Sequence, residues 1–249
     1  MPLGSLIMGA ALGWGSLSAF SLVLGAFLAL ARPWRKRLVG LVLAFGAGAL
    51  ISAVSFELAA EGFRLGDRWW TASGLAVGAL VYYLLDGVVA RIGSAGRGQS
   101  GRASGSNAGT ALALGAFLDG IPEQMVLGIG LAAGEGVSIG LLVAIFVSNL
   151  PEAIGSASEM RTAGRDDRTI LRLWLAVATV CALATVVGYA LADAVSDNMK
   201  AAIDGFAAGA LLVMLVDSMI PDATRKSGRT AGLVTVLGFA VAAGLSATS

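Results

Sequence analysis

Of the 249 residues, 57% are hydrophobic and only 13% are Asp, Glu, Lys or Arg. A soluble domain of this size carries about a quarter of its residues as charge to wet its surface, so a water-soluble globule is excluded. The net charge of +1 hides basic residues gathered in short segments between apolar runs, and no phosphate loop, zinc-finger spacing or aromatic-interleaved basic patch supports a nucleic-acid partner.

Crossing about 30 Å of hydrocarbon takes roughly 20 helical residues. Runs of that kind predict spans at 3–30, 38–60, 69–90, 107–131, 136–157, 169–192, 201–220 and 230–246. The reading is therefore an all-α integral membrane protein of eight transmembrane helices forming one domain over 1–249. The first span lacks a basic stretch before it, which argues for a retained helix rather than a cleaved signal. Ten-residue alternating segments are missing, so the pattern does not suit a β-barrel. Glycine lets helices approach closely in lipid, so Gly46, Gly48, Gly205 and Gly209 are predicted helix contacts. The single cysteine, Cys181, lies in an apolar run and is read as buried packing.

Charge in the connections predicts orientation. The odd connections hold Arg32, Arg35, Lys36 and Arg37; Arg91, Arg97 and Arg102; Arg161, Arg165, Arg168 and Arg172; and Arg225, Lys226 and Arg229, against Arg64, Arg68 and Lys200 on the other side. The positive-inside bias puts the odd connections in the cytoplasm and both termini outside a cytoplasmic (inner) cell membrane. The stretch 93–106, rich in Gly, Ser and Arg, is predicted to be a cytoplasmic loop.

Ionisable groups inside the runs cost several kcal/mol unless they face protein, water or an ion. These are Glu57, Asp86, Asp119, Glu123, Glu152, Asp204 and Asp217, with Ser148 and Asn149 as neutral oxygen donors. Two spans share one local design: Phe117-Leu118-Asp119-Gly120-Ile121-Pro122-Glu123 and Phe146-Val147-Ser148-Asn149-Leu150-Pro151-Glu152. In each, an oxygen-bearing residue stands four before a glutamate and shares its helix face. The proline removes an amide donor and leaves a carbonyl near the acid. With almost no intramembrane Lys or Arg to neutralise the carboxylates, a mobile cation or protons would complete such a site. A weaker likeness joins Phe45-Gly46-Ala47-Gly48-Ala49-Leu50 to Phe206-Ala207-Ala208-Gly209-Ala210-Leu211, followed by Glu57 and Glu61 and by Asp217 and Asp222. It hints at an inverted repeat of three helices on either side of the central pair.

These residues carry a family pattern: the chain resembles the ZIP family of divalent-metal transporters, in a divergent form of its small bacterial members that lacks histidine. The resemblance implies eight membrane helices in a three-two-three arrangement, with metal ligands on helices four and five. The family's His-Asn-x-Pro-Glu-Gly type motif falls on Asp119, Gly120, Ile121, Pro122, Glu123 and Gln124, and its helix-five counterpart on Ser148, Asn149, Leu150, Pro151, Glu152 and Ala153. With Asp119 and Ser148 at the usual first-ligand positions, the donor set is all oxygen. That composition shifts plausibility from zinc towards manganese, iron(II) or magnesium.

The expected function is uptake of a divalent cation such as zinc, manganese or iron, without covalent chemistry. Asp119, Glu123, Ser148, Asn149 and Glu152 form the expected metal site, with Glu57 and Asp217 auxiliary or at its mouth. The expected partners are the cation and the lipid bilayer, and the glycine-rich helices are compatible with a homodimer. The alternatives are a metal-sensing or structural membrane protein without flux, and a proton or sodium transporter. An enzyme is disfavoured by the lack of a His-Glu-x-x-His site and of any histidine base.

Overall fold

Long apolar runs satisfy their backbone groups internally, and lipid leaves them little other choice than helix. The computed structural model describes residues 3–95, 120–132, 139–192 and 194–247, and every regular element within them is helical. In chain order these are α1 (Leu3–Ala31), α2 (Lys36–Ala53), α3 (Ala60–Leu65), α4 (Arg68–Ala95), α5 (120–132), α6 (Ile139–Thr162), α7 (Asp167–Ala192), α8 (Asp197–Met214), α9 (Ile220–Ser227) and α10 (Thr230–Ser246). One π-helical turn, Val54–Ala59, joins α2 to α3 and another, Leu215–Met219, joins α8 to α9. Each joined pair therefore forms one long rod.

Glycine sets the pairing of these rods. In α4 and α8 the contacts are reciprocal: Gly74 and Gly78 lie on the carbonyls of Ala202 and Phe206, while Gly205 and Gly209 lie on those of Thr71 and Leu75. The register advances in the same sense on both helices, so they run parallel. Gly48 of α2 meets Thr235 of α10, and Gly238 meets Phe45. Gly128 of α5 meets Thr185 of α7, and Gly188 meets Met125. At each position the partner backbone occupies the space a Cβ would need, which is how small residues substitute for hydrophobic driving force in lipid. Gly15 and Gly25 seat α1 against Thr185 of α7 and Leu150 of α6.

Away from these seams the helices present large apolar side chains outward, among them Val77, Leu80, Tyr83 and Leu84 on α4 and Leu233, Val236 and Leu237 on α10. Such surface suits hydrocarbon, and the chain is a multi-pass membrane protein. Polar caps finish the ends. The Trp34 indole donates to the Leu28 carbonyl at 2.8 Å and the Arg161 guanidinium to the Leu30 carbonyl at 2.8 Å, satisfying the last turn of α1. Gly228, with φ 68° and ψ −152°, turns α9 into α10 in a backbone region essentially restricted to glycine.

The expected arrangement needs correction. Among the described residues, six helices are long and apolar enough to cross a membrane: Met8–Ala31, Lys36–Leu65, Arg68–Val88, Ile139–Thr162, Asp167–Ala192 and Asp197–Ser227. The eighth expected span, α10, has 17 residues and falls short, and the fourth, 107–131, is described only from residue 120. A three-two-three inverted repeat is not the architecture found either. The helices of the expected first triplet pack chiefly on partners outside it: α1 on α6 and α7, α2 on α10 and α6, α4 on α8. The likeness between the second and seventh spans rests on local features: a π turn carrying an acidic residue in each, and the aligned Phe45 with Gly48 and Phe206 with Gly209, which meet Gly238 and Thr235 of α10 and Gly78 and Leu75 of α4 respectively. Helix α4 also continues to Ala95, into the stretch read as a loop, and residues 96–106 lie outside the described residues.

Candidate metal centre

Two prolines shape the centre. Pro151 lies inside α6 and has no N–H to give the Val147 carbonyl one turn back. Gly46 of α2 backs directly onto that carbonyl and onto Ser148, so the α2 backbone closes in where α6 is perturbed. Pro122 stands near the start of the described part of α5, and Gly120 there fits against the Cys181 sulfur, which puts the lone cysteine at the α5–α7 seam.

The polar residues of the two Pro-Glu steps are withdrawn from the surface. Glu123 is 1% exposed, Ser148 and Asn149 are buried, and Glu152 is half-buried. Asp119 lies outside the described residues. The Ser148 hydroxyl donates to the Ile145 carbonyl at 3.0 Å, so its oxygen lone pairs stay available to a cation. The Asn149 side-chain amide nitrogen makes no hydrogen bond among the described residues. Neither stretch, 117–123 or 146–152, contains a lysine or arginine.

Beside Glu123, Gln124 is fully buried and its Oε1 accepts a 2.6 Å hydrogen bond from the Thr185 hydroxyl of α7. This link sits next to the Gly128 and Gly188 contacts and fixes the acid-bearing helix to α7. The sequence reading did not single it out, because a 61-residue separation leaves no local signal.

Glu57 is half-buried on the first π turn, and its Oε1 lies 3.1 Å from where a Cβ on Gly140 would stand, so it leans on the start of α6. Asp217 occupies the second π turn and is exposed. Among the described residues no group of three or more Asp, Glu or Cys side chains forms a metal-holding cluster. An apolar cavity of about 410 Å³ opens between α4, α5 and α8, lined by Trp70, Val77, Pro122, Met125 and Phe206 among others. The described residues that line it include no carboxylate.

Comparison with known proteins agrees with these features. A family model described as ZIP zinc transporter matches residues 93–246, well over half of the chain. A putative zinc transporter of Arabidopsis thaliana is 28% identical over 231 residues, covering 91% of this chain but 35% of the relative. The chain thus spans about a third of the length of the curated relative it matches. The matched region contains both Pro-Glu steps and the buried oxygen donors around them, and the chain belongs to the ZIP family of metal transporters.

Proposed function

We propose that the chain moves a divalent cation across a cytoplasmic membrane into the cell, with its arginine-rich connections inside and both termini outside. Asp119, Glu123, Ser148, Asn149 and Glu152 form the principal site, with Glu57 and Asp217 as auxiliary or entry groups. The observation that carries this reading is the burial of Glu123 on one Pro-Glu step and of Ser148 and Asn149 on the other.

An ionised carboxylate held in such surroundings is tolerable when a cation accompanies it. The neutral oxygens of Ser148 and Asn149 replace water ligands without adding charge. That balance allows the ion to leave again. An all-oxygen set suits manganese, iron(II) or magnesium as well as zinc. Transport follows from relative displacement of two helix groups, one containing α5 and α6. Gly46 against Ser148 and Glu57 against Gly140 lie on the seam between α6 and α2–α3, where such displacement would open and close the path.

Purified protein in sealed liposomes is the test. A panel of divalent cations should reveal uptake of at least one, and Glu123→Gln combined with Glu152→Gln should abolish it. Undiminished flux in the double variant would remove these residues from the mechanism.

A further inference from the structure

On one side α5 is fastened to α7, through the Gly128 and Gly188 contacts and the Gln124–Thr185 hydrogen bond. On another it faces the α4–α8 pair across the apolar cavity of about 410 Å³. The cavity follows the seam of that pair. Gly74 lies on Ala202 in its wall, with Trp70 and Met199 towards one end and Val77 and Phe206 towards the other. The seven residues from Trp70 to Val77 make it a groove about 10 Å long at the helical rise.

The groove is open along its flank. Trp70, Val77 and Met199 are 44%, 51% and 43% exposed, whereas Ala207 at its back is buried. Val77 leads directly into Leu80, Tyr83 and Leu84, so the opening is continuous with the apolar surface that α4 turns to the hydrocarbon. Trp69 and Trp70 stand at the start of α4, and paired tryptophans at a span end mark the headgroup level. From that level the groove runs inward along α4.

The walls decide what fills it. Trp70 and Ser73 carry the only side-chain N–H or O–H groups among the described lining residues, and the Ser73 hydroxyl already donates to the Trp70 carbonyl at 3.0 Å. A held water needs two to four polar partners, which this groove does not supply. A flexible hydrocarbon chain needs none, and it gains dispersion contact with three helices where the open bilayer offers only other chains.

We propose that an acyl chain of a bilayer phospholipid lies in this groove, between α5 and the α4–α8 pair. Pro122 and Met125 line it and stand one residue before and two after Glu123, so the chain touches the segment that carries the buried acid. Helix α5 then moves past α4 and α8 on a deformable chain instead of on interlocked side chains. That role rests on the transport reading, whereas occupancy of the groove does not.

The test places the full chain in liposomes containing a phospholipid with a photoactivatable diazirine within its acyl chain, and maps the labelled residues by mass spectrometry. Label is expected on the half-buried Met125 as well as on Leu233 of α10, which is 77% exposed and reports the bulk bilayer. Val77→Trp and Ser73→Phe, two changes that fill the groove from its exposed rim, should each abolish the label on Met125 and leave that on Leu233. Val77→Ala, which widens the groove, should keep Met125 labelled. Label on Leu233 without label on Met125 in the parent chain would overturn the proposal, as would equal labelling of Met125 in the parent and both filled variants. A Ser73→Cys chain that cross-links to a second copy while Met125 stays unlabelled would also overturn it, by giving the groove to another protein molecule. Labelling reads occupancy whether or not a cation is moved, so failure of the transport reading leaves this result intact.

Discussion

Replacing Gly209 with alanine adds one methyl group to the α4–α8 seam and tests whether backbone contact holds that pair together. The new carbon would collide with the Leu75 carbonyl oxygen and stand 2.9 Å from the Ala79 nitrogen. Comfortable contact between heavy atoms lies at about 3.5–4.0 Å. The helices must therefore move apart, and both partners are backbone, which cannot turn aside. Overpacking of this kind costs about 1–3 kcal/mol. For a chain of this length each kcal/mol lowers the midpoint by about 2–4 °C. Gly205→Ala should cost a similar amount, and the double variant less than the sum, because one separation relieves both collisions. Gly232→Ala on α10 is the control, since nothing lies within 4 Å of its added carbon. Thermal unfolding in detergent, followed by Trp69 and Trp70 at the start of α4, reads all four variants. A Gly209→Ala midpoint no lower than that of Gly232→Ala would refute the reasoning.

The Gln124–Thr185 link should show up in a double-mutant cycle. Thr185→Val leaves the buried Gln124 oxygen without its 2.6 Å donor, at a cost of about 1–3 kcal/mol, and Gln124→Leu added to it should recover part of that loss. Additive effects of the two changes would show that the bond contributes nothing. Asp166 accepts hydrogen bonds from the Thr169 hydroxyl at 2.6 Å and the Thr169 amide at 2.9 Å, and these hold its carboxyl below its ordinary value of 3.8. With the folded value depressed, its stabilisation is present at neutral pH and disappears as pH falls below 3.8 through the lowered folded value. Stability measured against pH should thus separate Asp166→Ala from the parent at pH 6 and bring the two together in acid. Curves that stay apart would rule out ionisation as the cause.

Helix-forming stretches are legible because apolar runs must be helical in lipid, and their ends are not, because polar residues extend a helix without breaking it. Helix α6 continues past the predicted end at 157 to Thr162, and α8–α9 outruns 201–220 at both ends. Gly48, Gly205 and Gly209 announce close contact but not the partner, which is why the three-helix repeat suggested by the sequence gives way to seams between distant spans. The π turns carry no Gly or Pro between Val54 and Ala59 to betray them. In the candidate site, the Pro-Glu steps were legible from spacing. The Gln124–Thr185 hydrogen bond was not, since 61 residues separate its partners.

The π turn at Val54–Ala59 makes the aim of Glu57 depend on chain length rather than side-chain chemistry. Each residue advances a helix by about 100°, so a wide turn is a place where one residue more or less swings everything on one side relative to the other. Deleting Ser55 would let the rod close into continuous α-helix, with every carboxylate retained in composition and Glu57 re-aimed away from Gly140. A one-codon change could thereby alter which ions meet the path while leaving every oxygen donor in the sequence.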